Sequence, residues 1–232
     1  MIRGVMFDFS GTLFHIESVA EWFDTLALDL DPAERETCVE RLTAAGALPG
    51  GPQPLQPPDG WGERDTSARH HRDAYTAQTR AALLPVLGAE RAEAVATELY
   101  ERHMTAAAWR QPYPDAEPVL KELRRREIPV AVVSNIGWDL RSIFIGSGLD
   151  AYVDAFVLSF ELGVQKPDPR IFRTACDRLG LAPAEVLMVG DHRPDDGGAM
   201  AIGCPFYEVP PLLVAERPEG LLPVLDLVGA RP

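Results

Sequence analysis

Five short segments of the chain are apolar at nearly every position and rich in β-branched residues. They are residues 2–9, 129–134 (PVAVVS), 155–159 (AFVLS), 185–191 (EVLMVGD) and 205–209 (PFYEV). A strand with one wet face alternates apolar and polar residues, so a continuous apolar run predicts a strand covered on both faces, as in a parallel sheet. Helical patterns lie between these runs. Residues 115–126 set Val119, Leu120 and Leu123 on one side, with a charged opposite side ending in three arginines. Residues 169–180 place Ile171, Phe172, Ala175, Cys176 and Leu179 at helical spacing, with Gly180 at the expected C-cap. Strand–helix alternation of this kind predicts an α/β fold built on a doubly wound parallel sheet.

Residues 15–112 break the alternation. They hold no convincing strand and read as helices near 17–29, 32–46, 66–86 and 89–109. The stretch PGGPQPLQPPDGWG, residues 49–62, interrupts them and reads as a loop of turn and polyproline character. The expected organisation is a core of residues 1–14 and 113–232 with a helical insert, 15–112, after the first strand. A length of 232 residues accommodates both.

Composition narrows the class. A hydrophobic fraction of 46% supports a sizeable core. A formal net charge of -13 argues against non-specific binding to nucleic acid or to an anionic membrane. It leaves room for an anionic substrate held by a local cation or a metal. No apolar run reaches the length of a membrane span and the N-terminus lacks a signal-peptide pattern, so the expected setting is the cytoplasm. Cys38, Cys176 and Cys204 are odd in number and widely spaced, which predicts buried thiols and no zinc site. Lysine occurs only at positions 121 and 166.

The chemistry gathers at strand ends, where ligands bind in open α/β sheets. Asp8 ends the first predicted strand, Ser134 the second and Asp191 the fourth, while Lys166 follows the third in GVQKPDP. Such a set suits phosphoryl transfer. A carboxylate at Asp8 attacks phosphorus and forms an acyl phosphate. Lys166 and a divalent metal neutralise the phosphate charge. Asp8, Asp191 and an acid of DHRPDD, either Asp195 or Asp196, offer the hard oxygens that Mg²⁺ prefers. Ser134, the backbone near it and Thr12 can hydrogen-bond phosphate oxygens. Each residue also has a structural reading. Ser134 and Asn135 would cap a helix beginning near Trp138, Lys166 would be a loop cation, and Asp191, Asp195 and Asp196 would form a solvated helix start. Trp22, Phe23, Trp61 and Trp109 are expected in the core, and His15, His70, His71 and His103 on the surface of the insert.

DFSGT, Ser134-Asn135, QKPDP and GDHRPDDGGA, in that order, resemble the four motifs of the haloacid dehalogenase-like (HAD) hydrolase superfamily, and the insert is similar to its type 1 helical cap. The resemblance implies a Rossmann-type core with Asp8 as nucleophile and metal ligand. It implies Mg²⁺ held also by the carbonyl of Ser10, by Asp191, and by Asp195 or Asp196. Thr12, Ser134, Asn135 and Lys166 would meet the substrate, a small phosphorylated metabolite. One position departs from the pattern. Phosphatases of this family usually carry a second aspartate two residues after the nucleophile, which protonates the leaving group and then activates water. Here that position is Ser10, so a phosphatase would be slow or would take its acid from the substrate or from the insert, where His15, His70, His71 and His103 are the candidates. Two other readings therefore stand beside the phosphatase: a metal-independent 2-haloacid dehalogenase-type hydrolase, whose members also lack the second acid but tend to replace the fourth-motif acids kept here, and a non-catalytic binding protein of the same fold.

Overall fold

The computed structural model describes residues 1–105, 108, 109, 112–210 and 216–229. Strands β1 (Gly4–Phe7), β2 (Val130–Ser134), β3 (Ala155–Leu158), β4 (Val186–Gly190) and β5 (Phe206–Glu208) form one parallel sheet in the order β3-β2-β1-β4-β5. Helices α1 (Val19–Asp24), α2 (Pro32–Ala44), α3 (Ala68–Leu87) and α4 (Ala89–His103) follow β1, and α5 (Ala116–Arg125) leads into β2. Helices α6 (Arg141–Ser147), α7 (Ser159–Leu162), α8 (Pro169–Leu179), α9 (Arg193–Asp196) and α10 (Val224–Leu227) complete the α-helices among the described residues. The chain builds outward from β1 to β3 on one side, then returns to lay β4 and β5 on the other. The strand order therefore reverses between β1 and β4, which makes their C-terminal ends the crevice of the sheet.

The unbroken apolar runs resolve into two cores. Val5, Phe7, Val132, Leu158 and Val189 face one way and pack with Val119, Leu120 and Leu123 of α5 and Phe144 of α6. The intervening Met6, Ala131, Val133, Val157 and Met188 face the other way, onto Ile171, Phe172 and Cys176 of α8. Both faces are covered, so no position along these strands needs a polar side chain until the chain leaves the sheet.

The insert helices start where local chemistry says they should. Ser18 with Glu21 and Asp31 with Glu34 form capping boxes, and Pro32 opens α2. Their ends differ from the periodicity-based expectation. The helix expected over 17–29 is only Val19–Asp24, because the chain turns at Ala27 with a positive φ of 46°. The helix expected to 109 stops at His103. The 49–62 stretch is non-helical to Gly60, where a 3₁₀ helix, Trp61–Thr66, begins. A single 3₁₀ stretch leaves no apolar periodicity to read. Trp22 and Phe23 sit in a separate insert core with Cys38, Leu42, Leu83 and Leu99. Trp61 packs on Tyr75 and Tyr100, while Trp109 joins the sheet core against Phe9.

Two histidines correct the expectation of surface positions. His71 and His103 are buried, and both pack on Trp138 of the segment after β2. At Gly137 a Cβ would lie 2.3 Å from the His71 side chain, so the insert and the core meet here without space for another atom. Among the described residues, no helix is long and apolar enough to cross a membrane.

Close approach also fixes the loop that carries Lys166. A Cβ at Gly198 would lie 2.6 Å from the carbonyl oxygen of Pro167 and 2.9 Å from its Cα. Backbone cannot yield there without moving Lys166. Gly198→Ala should lower stability by about 1–3 kcal/mol, as overpacking does. Urea denaturation should show a lower midpoint at unchanged m-value.

Candidate active site

The residues singled out at the strand ends converge. Asp8, Ser10, Ser134, Asn135, Lys166, Asp191, Asp195 and Asp196 line one cavity of about 330 Å³, together with His192 and, from the insert, Gly50–Gln53, Arg64, Asp65 and Tyr75. Asp8 follows β1 directly, and its N–H continues the ladder by donating to Val189 O at 2.9 Å. The chain then turns through Gly11 at φ 76°, and Arg217 braces the turn by donating to the carbonyls of Gly11 and Thr12, each at 2.7 Å.

Two glycines make room for carboxylates. A Cβ on Gly11 would lie 2.3 Å from Asp191 Oδ2, and one on Gly190 would lie 2.2 Å from Asp196 Oδ2. With hydrogens in those places the acids close in on Asp8: the Asp8, Asp191 and Asp196 carboxylates offer oxygens all within 4.8 Å of one another. Lys166 Nζ donates to Asp8 Oδ1 and to Asp196 Oδ1, at 2.6 Å each. Of the two candidate acids in DHRPDD, Asp196 therefore joins the cluster. Asp196 is fully buried, accepting also from His192 N–H at 3.0 Å, which excludes the solvated-helix reading for it. Asp195 pairs with His192 Nδ1 at 3.0 Å.

Three carboxylates surround one ammonium. At 4.8 Å, two carboxylate charges repel by about 3–4 kcal/mol at an effective dielectric of about 20. One ammonium against three ionised carboxylates leaves the group with an excess of negative charge, and Lys166 bonds only two of the three. The electrostatics carry that mark. Burial pushes Asp8 up to about 8 despite Lys166, with Asp196 and Asp191 adding to the rise. Asp191 is raised by burial and by Asp196, against Lys166 and the Thr12 bond. Burial works against the charge on Lys166, but Asp196 and Asp8 outweigh it and hold the ammonium charged. The donor set is all hard oxygen with uncompensated negative charge, which fits a divalent cation such as Mg²⁺.

Other expected contacts fall differently. Thr12 is fully buried and absent from the cavity lining; its hydroxyl donates to Asp191 Oδ1 at 3.1 Å and so orients that carboxylate. The Asn135 amide binds the Lys166 backbone in both directions, accepting from N–H at 2.6 Å and donating to O at 3.0 Å. Neither Ser134 nor Asn135 caps a helix: α6 begins only at Arg141, behind Leu140 and without a side-chain cap. The Ser10 hydroxyl donates to Gly50 O of the insert at 3.3 Å. Gly50 itself has φ 77°, and a Cβ there would crowd Ser10 Oγ at 2.8 Å. Arg64, Asp65, Tyr75 and Arg217 escaped the sequence reading. Charged residues after a proline-rich loop carry no motif, and only tertiary contact reveals their burial.

Lys166→Met should cost about 3–5 kcal/mol at neutral pH in metal-free buffer, because it leaves buried carboxylates unpaired. Adding Asp196→Asn should recover part of that loss in a double-mutant cycle read by urea denaturation.

Comparison with known proteins agrees with this geometry. The family model for haloacid dehalogenase-like hydrolases matches residues 2–203. A phosphoserine phosphatase of Thermus thermophilus is 41% identical over 109 residues, covering 46% of this chain and 44% of that protein. The (S)-2-haloacid dehalogenase 4A of Burkholderia cepacia is 40% identical over 107 residues, covering 45% and 46%. The chain thus spans about half the length of the curated relatives it matches. Among solved structures, an L-2-haloacid dehalogenase from Xanthobacter autotrophicus superposes with a TM-score of 0.62 at 27% identity, covering 100% of this chain and 85% of that one.

Proposed function

The chain belongs to the haloacid dehalogenase-like hydrolase family, and from that premise we propose that it hydrolyses a small phosphorylated metabolite through an aspartyl-phosphate at Asp8, with Mg²⁺ as cofactor. The observation that carries this reading is the gathering of Asp191 and Asp196 beside Asp8 around a single lysine. A divalent cation would offset that surplus of negative charge. Asp8, Asp191, Asp196 and the carbonyl of Ser10 would hold the ion. When bound, Mg²⁺ neutralises charge on the phosphate and on the carboxylates around it.

The protein's own groups do the rest. Asp8 attacks phosphorus as a nucleophile. Lys166, fixed through its backbone by Asn135, neutralises Asp8 and the phosphate together. The Ser134 hydroxyl, at the end of β2, bonds a phosphate oxygen. Residues 15–112 act as a cap whose helices cover the cavity and exclude water during chemistry. A volume of about 330 Å³ lies at the small end of ligand pockets, which run from about 300 to 1,000 Å³; it suits a substrate of metabolite size.

A second reading is metal-free attack of Asp8 on the halogen-bearing carbon of a 2-haloacid. The serine at position 10 favours it, as does the likeness to a named haloacid dehalogenase. One pair of measurements separates the two. With a panel of phosphomonoesters, phosphate release should vanish in EDTA and return with Mg²⁺, and Asp8→Asn should lose turnover by about 10⁴ or more while keeping its thermal melt. Undiminished halide release from 2-chloropropionate in EDTA, with no phosphate release in Mg²⁺, is the outcome that favours the second reading.

A further inference from the structure

Asp65 stands out among the cavity residues because nothing in the reading above uses it. It lies in the 3₁₀ helix Trp61–Thr66 of the insert and is 1% exposed. Its backbone is pinned to the core on both sides. The N–H donates to Gln165 Oε1 at 2.9 Å, next to Lys166, and the carbonyl accepts from Ser159 Oγ at 2.6 Å. Ser159 Oγ also accepts from the N–H of Ile136, two residues beyond Ser134, at 2.8 Å. Asp65 is thus the insert residue registered directly against both the Ser134 and the Lys166 loops.

Its carboxyl group is poorly satisfied. Oδ2 lies 3.3 Å from Arg64 Nη2, and Oδ1 lies 3.7 Å from His71 Nε2 with no hydrogen-bond partner. Arg64 has other bonds, to the Tyr75 hydroxyl at 3.1 Å and to Trp61 O at 3.0 Å, so it is not free to close on Asp65. The charged and titratable groups around the carboxyl come from several elements: Arg64 beside it, His71 and Tyr75 on α3, Asp195 on α9, and Lys166. Burial raises Asp65 to about 6; Arg64 opposes the rise, Asp195 adds to it and Lys166 opposes it. His71 is pushed down to about 3, by burial and then by His103 and Arg64, and is neutral behind Asp65, with Nδ1 2.7 Å from the Tyr100 hydroxyl. A buried carboxylate with one oxygen left unbonded is costly to keep, and an acid titrating near neutrality is suited to proton transfer.

We propose that Asp65 is the general acid and base of this enzyme, delivered from the insert in place of the side chain that Ser10 lacks. This rests on the aspartyl-phosphate reading. As Asp8 attacks, the bond from phosphorus to the leaving oxygen breaks, and that oxygen takes the proton of Asp65. In the second half, the Asp65 carboxylate takes a proton from water as the water oxygen attacks phosphorus. The bond from phosphorus to Asp8 breaks, phosphate leaves, and Asp65 is again protonated. Because core residues Gln165 and Ser159 hold the backbone of Asp65, the acid is presented to the cavity when the insert is seated on the core.

The test compares wild type, Asp65→Asn and Asp65→Glu on p-nitrophenyl phosphate and glycerol phosphate, in Mg²⁺, by single-turnover kinetics. A nitrophenolate leaves without a proton and a glycerol alkoxide does not. Asp65→Asn should slow phosphorylation by glycerol phosphate by about 10²–10⁴ and phosphorylation by the nitrophenyl ester only a few-fold. Asp65→Glu should regain part of the difference. In wild type, phosphorylation by glycerol phosphate should fall and dephosphorylation should rise as pH increases through about 6. Equal slowing of both esters by a folded Asp65→Asn overturns the assignment and leaves the phosphatase reading intact; if that variant does not fold, a wild type whose two steps show no such opposed limbs overturns it equally. A wild type that releases phosphate from neither ester, nor from any phosphomonoester in the panel, overturns both.

Discussion

Everything at this site depends on the crowding of three buried carboxylates around one ammonium. Asp8, Asp191 and Asp196 can approach only because Gly11 and Gly190 have no side chains, and Lys166 can reach two of them only because Asn135 and Gly198 hold its loop close. The fold supplies the setting. β1 and β4 are neighbours at the point where strand order reverses, so the residues that follow them emerge side by side. Burial then makes their negative charges expensive, and on the proposed reading a divalent cation relieves them.

The insert is tied to this crevice by polar contacts and close packing at several separate points. Ser10 reaches the backbone of Gly50, Gln165 and Ser159 hold Asp65, and His71 fills the space that Gly137 leaves. Arg64, Asp65 and Tyr75 of the insert line the cavity beside these contacts. On this account, the serine after the nucleophile is a contact to the insert, and the insert carries the proton-transfer group. Closure and chemistry are then linked through residues that touch both bodies.

The sheet was largely legible in the sequence. Five apolar runs became five parallel strands, because burial on two faces is a strong and local demand on side chains. The strand-end residues were legible for the related reason that a polar group closing an apolar run is conspicuous: Asp8, Ser134 and Asp191 all line the cavity. Helix ends in the insert were not. Ala27 turns the chain with no glycine or proline to announce it, and the 3₁₀ helix at Trp61 has no period to detect. The side chains of Thr12 and Asn135, expected to meet the substrate, bond Asp191 and the Lys166 backbone, contacts that spacing along the chain does not reveal. Asp195 and Asp196 could not be told apart by spacing, because adjacent residues at the start of a short helix differ by the direction each side chain takes. Arg64 and Asp65 were invisible for a further reason: their burial arises from the docking of insert on core, across about a hundred residues of sequence.

The central claim is that the carboxylate cluster around Lys166 is short of positive charge and takes up one divalent cation. Isothermal titration of the metal-free protein with Mg²⁺, in wild type and in Asp191→Asn, tests it without reference to any substrate. The account predicts one ion bound per chain in wild type and a loss of that binding in Asp191→Asn. No Mg²⁺ uptake by wild type, or uptake unchanged by Asp191→Asn, would contradict it.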